Sequence, residues 1–108
     1  MTRYLIEETV APQAVAAMLQ KPEDRTEEVS RVFEAVGGSL ERYYVSFAEM
    51  KVYLIVDIPD EASLNAIMLT FFARAPLASI RATPIVTASE AVAVFKSAAG
   101  MAFRPPGK

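Results

Sequence analysis

The apolar positions of this chain change period several times along its length. Residues 3–9, "RYLIEET", are β-rich and short, which predicts a first strand ending before Pro12. From Pro12 the period lengthens: Val15, Met18 and Leu19 share one side of a segment for which Pro12 is a suitable first helical residue. Beyond Pro22, the positions Val29, Val32, Phe33 and Val36 repeat at i, i+3, i+4 and i+7. The pattern is that of a broken helix that stops at Gly37-Gly38, where left-handed backbone is most accessible.

The next stretch, "GSLERYYVSFAEMKVYLIVDIPDE", residues 38–61, reads as two extended runs folded about a short turn. A two-residue turn at Glu49-Met50 would place Tyr43, Val45 and Phe47 on one face with Val52, Leu54 and Val56, an apolar set for helices to cover. The opposite face then holds Arg42, Tyr44 and Ser46 beside Tyr53, Ile55 and Asp57, with Arg42 across from Asp57. Pro59 closes the second run and Asp60 suits the N-cap of a helix, in which Leu64, Ile67, Met68, Phe71 and Phe72 form a stripe expected to be buried. Pro76 ends that helix; "LASIRATPIV" reads as a fourth strand, and Pro84 within it points to a sheet edge. Thr87 and Glu90 have the spacing of a capping box before a last helix with Ala91, Val94, Phe95 and Ala98 on its apolar side.

This order, β-α-β-β-α-β with a C-terminal helix, is the split βαβ pattern of a ferredoxin-like α+β domain. Both helices would cover one face of an antiparallel sheet of order 4-1-3-2, with Pro84 on an edge strand. Residues 1–98 read as one domain and 99–108 as a C-terminal tail, mobile rather than docked through "FRPPGK". Length agrees: 108 residues, 53% apolar and 22% charged, suit one globular domain. A mean hydropathy of +0.26 is high for so small a chain and places some apolar surface at an interface.

The net charge of −2 and the lack of a basic cluster argue against nucleic acid as a partner. No apolar run approaches the roughly 20 residues of a membrane span, and "MTRYLIEETV" lacks the features of a secretory leader, so a cytoplasmic, membrane-free protein is expected. With no cysteine and no histidine, thiolate or imidazole metal sites, imidazole-bound haem and His-based nucleophile pairs are excluded. Neither metal nor cofactor is expected. Proton transfer is left to Asp, Glu, Lys and Tyr, each of which needs a large pKa shift to work near neutrality.

Those residue types gather on the sheet face turned away from the helices. Alternation extended to the outer strands adds Leu5 and Glu7, and Arg81, Thr83 and Ile85. Tyrosines, isoleucine and a few charges together have the composition of a protein interface or ligand cleft. Glu7, Arg42, Tyr44, Ser46, Tyr53, Asp57, Arg81 and Thr83 are therefore the candidates for a dimer face or ligand cleft. In an enzyme, Tyr44 or Tyr53 would donate a proton, Glu7 would act as base and Arg81 would hold an anion. In an assembly protein the rings pack and Arg81 pairs with Glu7; no residue is singled out as catalytic. Elsewhere Glu27 and Arg31 suit a solvated helix face, Met18 and Met68 suit core filling, and Met50 lies at the turn.

From Tyr4 to about Ala98 the chain resembles the GYD family of the dimeric α/β-barrel superfamily. The segments that carry this are "YLIEETVAP", "KPEDRTEEV", "VGGSLERYY", "VYLIVDIPDE" and "IRATPIVTASEAV". The resemblance implies two ferredoxin-like protomers closing a barrel between their sheets. Where the family carries Gly, Tyr and Asp around the hairpin turn, this chain reads Ala48-Glu49-Met50-Lys51, so a role that depends on those side chains does not carry over. Relatives in the superfamily include cofactor-independent monooxygenases, haem-degrading enzymes, lactone isomerases and assembly modules, and fold alone does not choose among them. Haem chemistry ranks last, since the usual proximal histidine is absent. The leading expectation is a homodimer or larger homo-oligomer that binds a small molecule in the cleft between sheet faces. The alternatives are a cofactor-independent enzyme acting on a small aromatic or carbonyl compound, and an assembly protein without a ligand.

Overall fold

A computed structural model describes residues 1–107. In chain order the elements are β1 (Thr2–Val10), α1 (Pro12–Gln20), α2 (Thr26–Glu34), β2 (Ser39–Ser46), β3 (Lys51–Ile58), α3 (Glu61–Arg74), β4 (Leu77–Pro84) and α4 (Ala88–Ala99). The strands form one antiparallel sheet of order β2-β3-β1-β4, which is the expected 4-1-3-2 read from the other edge. Pro84 accordingly lies on an edge strand, where a missing N–H costs no ladder bond.

One sheet face is the floor of the core. Ile6, Leu54, Val56 and Ile58 are fully buried there under Phe33 of α2 and under Leu64, Ile67 and Phe71 of α3. The Phe33 and Phe71 rings meet edge to face with centroids 5.8 Å apart, locking the two helices over the sheet. Each large apolar side chain removed from water in this way contributes about 1.5–3 kcal/mol.

Local chemistry sets the element ends. The turn after α2 passes through Gly37 at φ 81°, and the Gly38 N–H donates to the Phe33 carbonyl at 2.9 Å. A Cβ at Gly38 would lie 2.3 Å from the Asp57 carbonyl oxygen, so the approach of this turn to β3 requires glycine. The Asp60 carboxylate caps α3 by accepting from the Ser63 N–H at 2.7 Å, and Thr87 and Glu90 form the expected capping box on α4.

The β2–β3 hairpin departs from its expected register. Tyr43 pairs with Leu54, Tyr44 with Tyr53 and Val45 with Val52, so the connection is the four residues 47–50 rather than two. A slip of two residues keeps every side chain on its face but changes its partner. The slip places Arg42 across from Ile55, and an irregularity between Leu40 and Arg42 then sets Ser39 across from Asp57. The expected Arg42–Asp57 pair therefore does not form, and the Arg42 guanidinium donates instead to the Glu41 carbonyl at 2.9 Å. Phe47, expected in the core, is carried into the connection and is 81% exposed, while Val45 is half exposed on an edge strand. Phe72 is likewise exposed, because only the side of the α3 stripe turned to the sheet is covered.

The molecule measures 61 × 33 × 24 Å with a radius of gyration of 17.7 Å, where a compact chain of this length has about 13 Å. In α4 every residue except Ala91 is exposed. Only its start is anchored: the Ile85 N–H donates to the Arg3 carbonyl at 3.0 Å, and Arg3 donates to the Glu90 carboxylate at 3.1 Å. Val94 and Phe95 therefore cover nothing in their own protomer.

Candidate functional site

All eight predicted residues lie on the helix-free side of the sheet, in rows that cross the strands. One row runs Tyr44, Tyr53, Glu7, Arg81; the next runs Arg42, Ile55, Leu5, Thr83. Ser46 begins the row that continues through Lys51 and Thr9, and Asp57 lies between Ser39 and Arg3. The structure thus brings Glu7, Tyr53 and Arg81 together and leaves Arg42, Ser46 and Thr83 at the margins.

The charged groups at the centre of this face satisfy one another. Arg81 donates to Glu7 Oε2 from Nη2 at 2.8 Å and from Nε at 3.3 Å. Lys51 Nζ lies 3.8 Å from Glu7 Oε1 and 3.6 Å from Glu49 Oε2, and the Tyr53 hydroxyl donates to Glu49 Oε2 at 2.8 Å. The hydrogen bond from Arg81, with the charges of Arg81 and Lys51, holds the Glu7 carboxyl below its usual range, and the same bond raises the Arg81 guanidinium. Donation to Glu49 is the main reason the Tyr53 phenol is raised. Glu7 is thereby a weak base and Tyr53 keeps its proton, so the row works as an ion-pair network rather than as an acid–base pair.

The other face of the same strands holds a group that the sequence reading missed. Alternation along β1 places Glu8 with Tyr4, Ile6 and Val10 on the core side, and Glu8 is 8% exposed. It is the one buried charged or polar residue, and its carboxyl has no hydrogen-bond or ion-pair partner among the described residues. Burial alone pushes it up to about 7. Glu8 lines a cavity of about 1230 Å³, open to solvent, whose walls include Val10, Met18, Val29, Val32, Tyr43 and Phe71. Its roof is thin, since α1 has no buried residue. The Tyr43 phenol is raised first by its own burial and then by the Glu8 charge, which places the two groups within each other's field. The signal for this site was present in the sequence: one glutamate interrupts the apolar alternation of Tyr4, Ile6 and Val10.

Charged side chains otherwise stand at the cavity rim, and several are occupied. Arg25 pairs with Glu23 at 3.0 Å, and Lys51 is held on the opposite face. A second, shallower depression of about 520 Å³ runs along the outer side of α2, where Arg31 pairs with Glu27 at 2.7 Å and Glu28 at 3.2 Å. Those pairs engage its one cation.

Residues 4–94 match the model of the GYD domain. The chain belongs to the GYD domain family. No curated protein matches it. In this GYD protein the Lys51 ammonium contributes to holding Glu7 and Glu49. Met50, at the end of the β2–β3 connection, adopts left-handed backbone at φ 53°, a conformation that costs an ordinary side chain about 1–2 kcal/mol. Among the described residues this GYD protein has no cluster of three or more side chains able to hold a metal ion, and no helix long and apolar enough to cross a membrane.

Proposed function

We propose that this GYD protein is a homodimer in which two helix-free sheet faces meet and close a barrel, and that its role is to bind a small molecule. One observation carries the dimer: the helix-free face combines the exposed Tyr44 ring and the half-buried Leu5 and Ile55 with central charges, Glu7, Lys51 and Arg81, that are paired among themselves. The centre of such a face can be covered by a copy of itself without stranding an unpaired ion, with Arg42 at the margin. The same self-pairing weighs against catalysis there, because the base and anion holder that an enzyme would need are engaged with each other. The binding role is supported by the cavity on the helix side of the sheet, which has a free carboxyl in an apolar lining.

Native mass spectrometry under conditions that retain small molecules tests both parts in one spectrum. The expected result is a dimer or a multiple of it carrying a bound mass; a monomer would overturn the barrel. Ile55→Arg, which sets an unpaired cation at the middle of the face, is expected to yield a folded monomer. A dimer that survives this substitution would place the contact elsewhere.

A further inference from the structure

Glu8 is poorly explained by packing. A β-branched or aromatic residue would serve the strand better, as Ile6 and Val10 do on the same face, and the carboxylate form is disfavoured wherever it is buried without a partner. No Lys or Arg comes within ion-pairing distance of it among the described residues. The cavity that Glu8 lines, about 1230 Å³, exceeds the roughly 300–1,000 Å³ that ligand sites commonly occupy. An acceptor without a donor, in an apolar chamber with room for a second molecule, defines what the missing partner must bring.

We propose that this cavity binds an apolar amine, whose ammonium group pairs with the Glu8 carboxylate while its hydrocarbon or aromatic body packs against Val29, Val32 and Phe71. The Tyr43 hydroxyl, in the same cavity, can accept a second ammonium N–H. An anionic head group would be repelled by Glu8, and the cavity's cations cannot compensate. Arg25, from the α1–α2 link, is taken by Glu23, and Lys51 of β3 by Glu7 and Glu49. Lys21 at the end of α1 and Arg74 of α3 border the cavity without reaching Glu8, and Asp24 and Glu28 add negative charge to the same wall. An alcohol satisfies one hydrogen bond but leaves the charge unpaired. This inference rests on the binding role proposed above and is independent of the dimer.

The test is calorimetric titration of the full chain, near pH 8, with 4-phenylbutylamine, 4-phenylbutanol and 4-phenylbutyrate, which share one apolar body. The amine is expected to bind at least about tenfold more tightly than the other two, as one charge-assisted contact allows. Glu8→Gln should remove that preference by weakening the amine far more than the alcohol, and circular dichroism should show the variant folded. Lowering the pH through about 7 should weaken the amine alone in the wild type, as Glu8 takes up its proton. Equal binding of all three compounds, or amine binding untouched by Glu8→Gln, would overturn the amine assignment and leave the binding role standing. Binding of none of the three would overturn both.

Discussion

Glu7 and Glu8 are neighbours in one strand and carry the same side chain, yet their carboxyls live in opposite regimes. On the helix-free face, Glu7 accepts two hydrogen bonds from Arg81, has Lys51 beside it and is held in its charged form. On the helix-covered face, Glu8 has no ion-pair or hydrogen-bond partner among the described residues and is pushed up to about 7 by burial. The period-2 alternation of a strand therefore separates a structural carboxylate from one that is free to recognise a ligand. The comparison also shows that a crowded cluster of charged residues can be the chemically quieter of two sites. Mutual pairing uses up the capacity of its members, whereas isolation preserves it.

The two faces should first separate in a pair of truncations. Leu54→Ala, on the covered face, is expected to cost about 2–5 kcal/mol in urea denaturation, as for other fully buried leucines. Ile55→Ala, one residue on, should cost less than about 2 kcal/mol, with a loss that grows with protein concentration because the proposed dimer would complete its burial. Equal losses that ignore concentration would break the contrast between a core face and an assembly face.

A smaller effect, of the opposite sign, is expected at Glu8. Its folded-state value lies above the 4.5 of the free group, so the native state resists ionising it. No penalty operates at low pH, where folded and unfolded chains are both protonated, and the penalty grows as pH rises through about 7. Between about pH 5 and about pH 8, Glu8→Gln should gain about 2 kcal/mol on the wild type, an allowance being made for water in the open cavity. Parallel stability profiles for the two proteins would mean that Glu8 has a partner in solution.

The smallest change is expected at Glu7, and it runs the other way. Its folded-state value is lowered, so its stabilising contribution is present above the free value of 4.5 and is lost as pH falls through the lower folded value. Glu7→Gln should therefore destabilise at neutral pH and lose its effect in acid, measured in the same denaturation series. A variant as stable as the wild type at neutral pH would reduce the Arg81–Glu7–Lys51 network to geometry without energetic consequence, as many exposed ion pairs are.

Most of the fold was legible in local signals. Period changes marked the elements, Asp60 and the Thr87–Glu90 pair marked helix starts, and Pro84 marked an edge strand, all as observed. The hairpin register was less legible, because moving the turn by two residues leaves the alternation of Tyr43, Val45, Val52 and Leu54 unchanged. That slip decided that Arg42 meets Ile55 and not Asp57, and the irregularity at Glu41 then set Ser39 across from Asp57. Glu8 was overlooked although its place in the alternation was readable, because a charged residue is ordinarily assigned to solvent.

Taken alone, then, the sequence determined which residues share a face, since periodicity is a property of the chain itself. It also determined the absence of histidine and cysteine chemistry, which is a matter of composition. Only the tertiary structure decided which carboxyl is paired and which is left alone. Both outcomes depend on distances between strands and helices far apart in sequence: Arg81 reaches Glu7 across 74 positions, whereas among the described residues no cation pairs with Glu8.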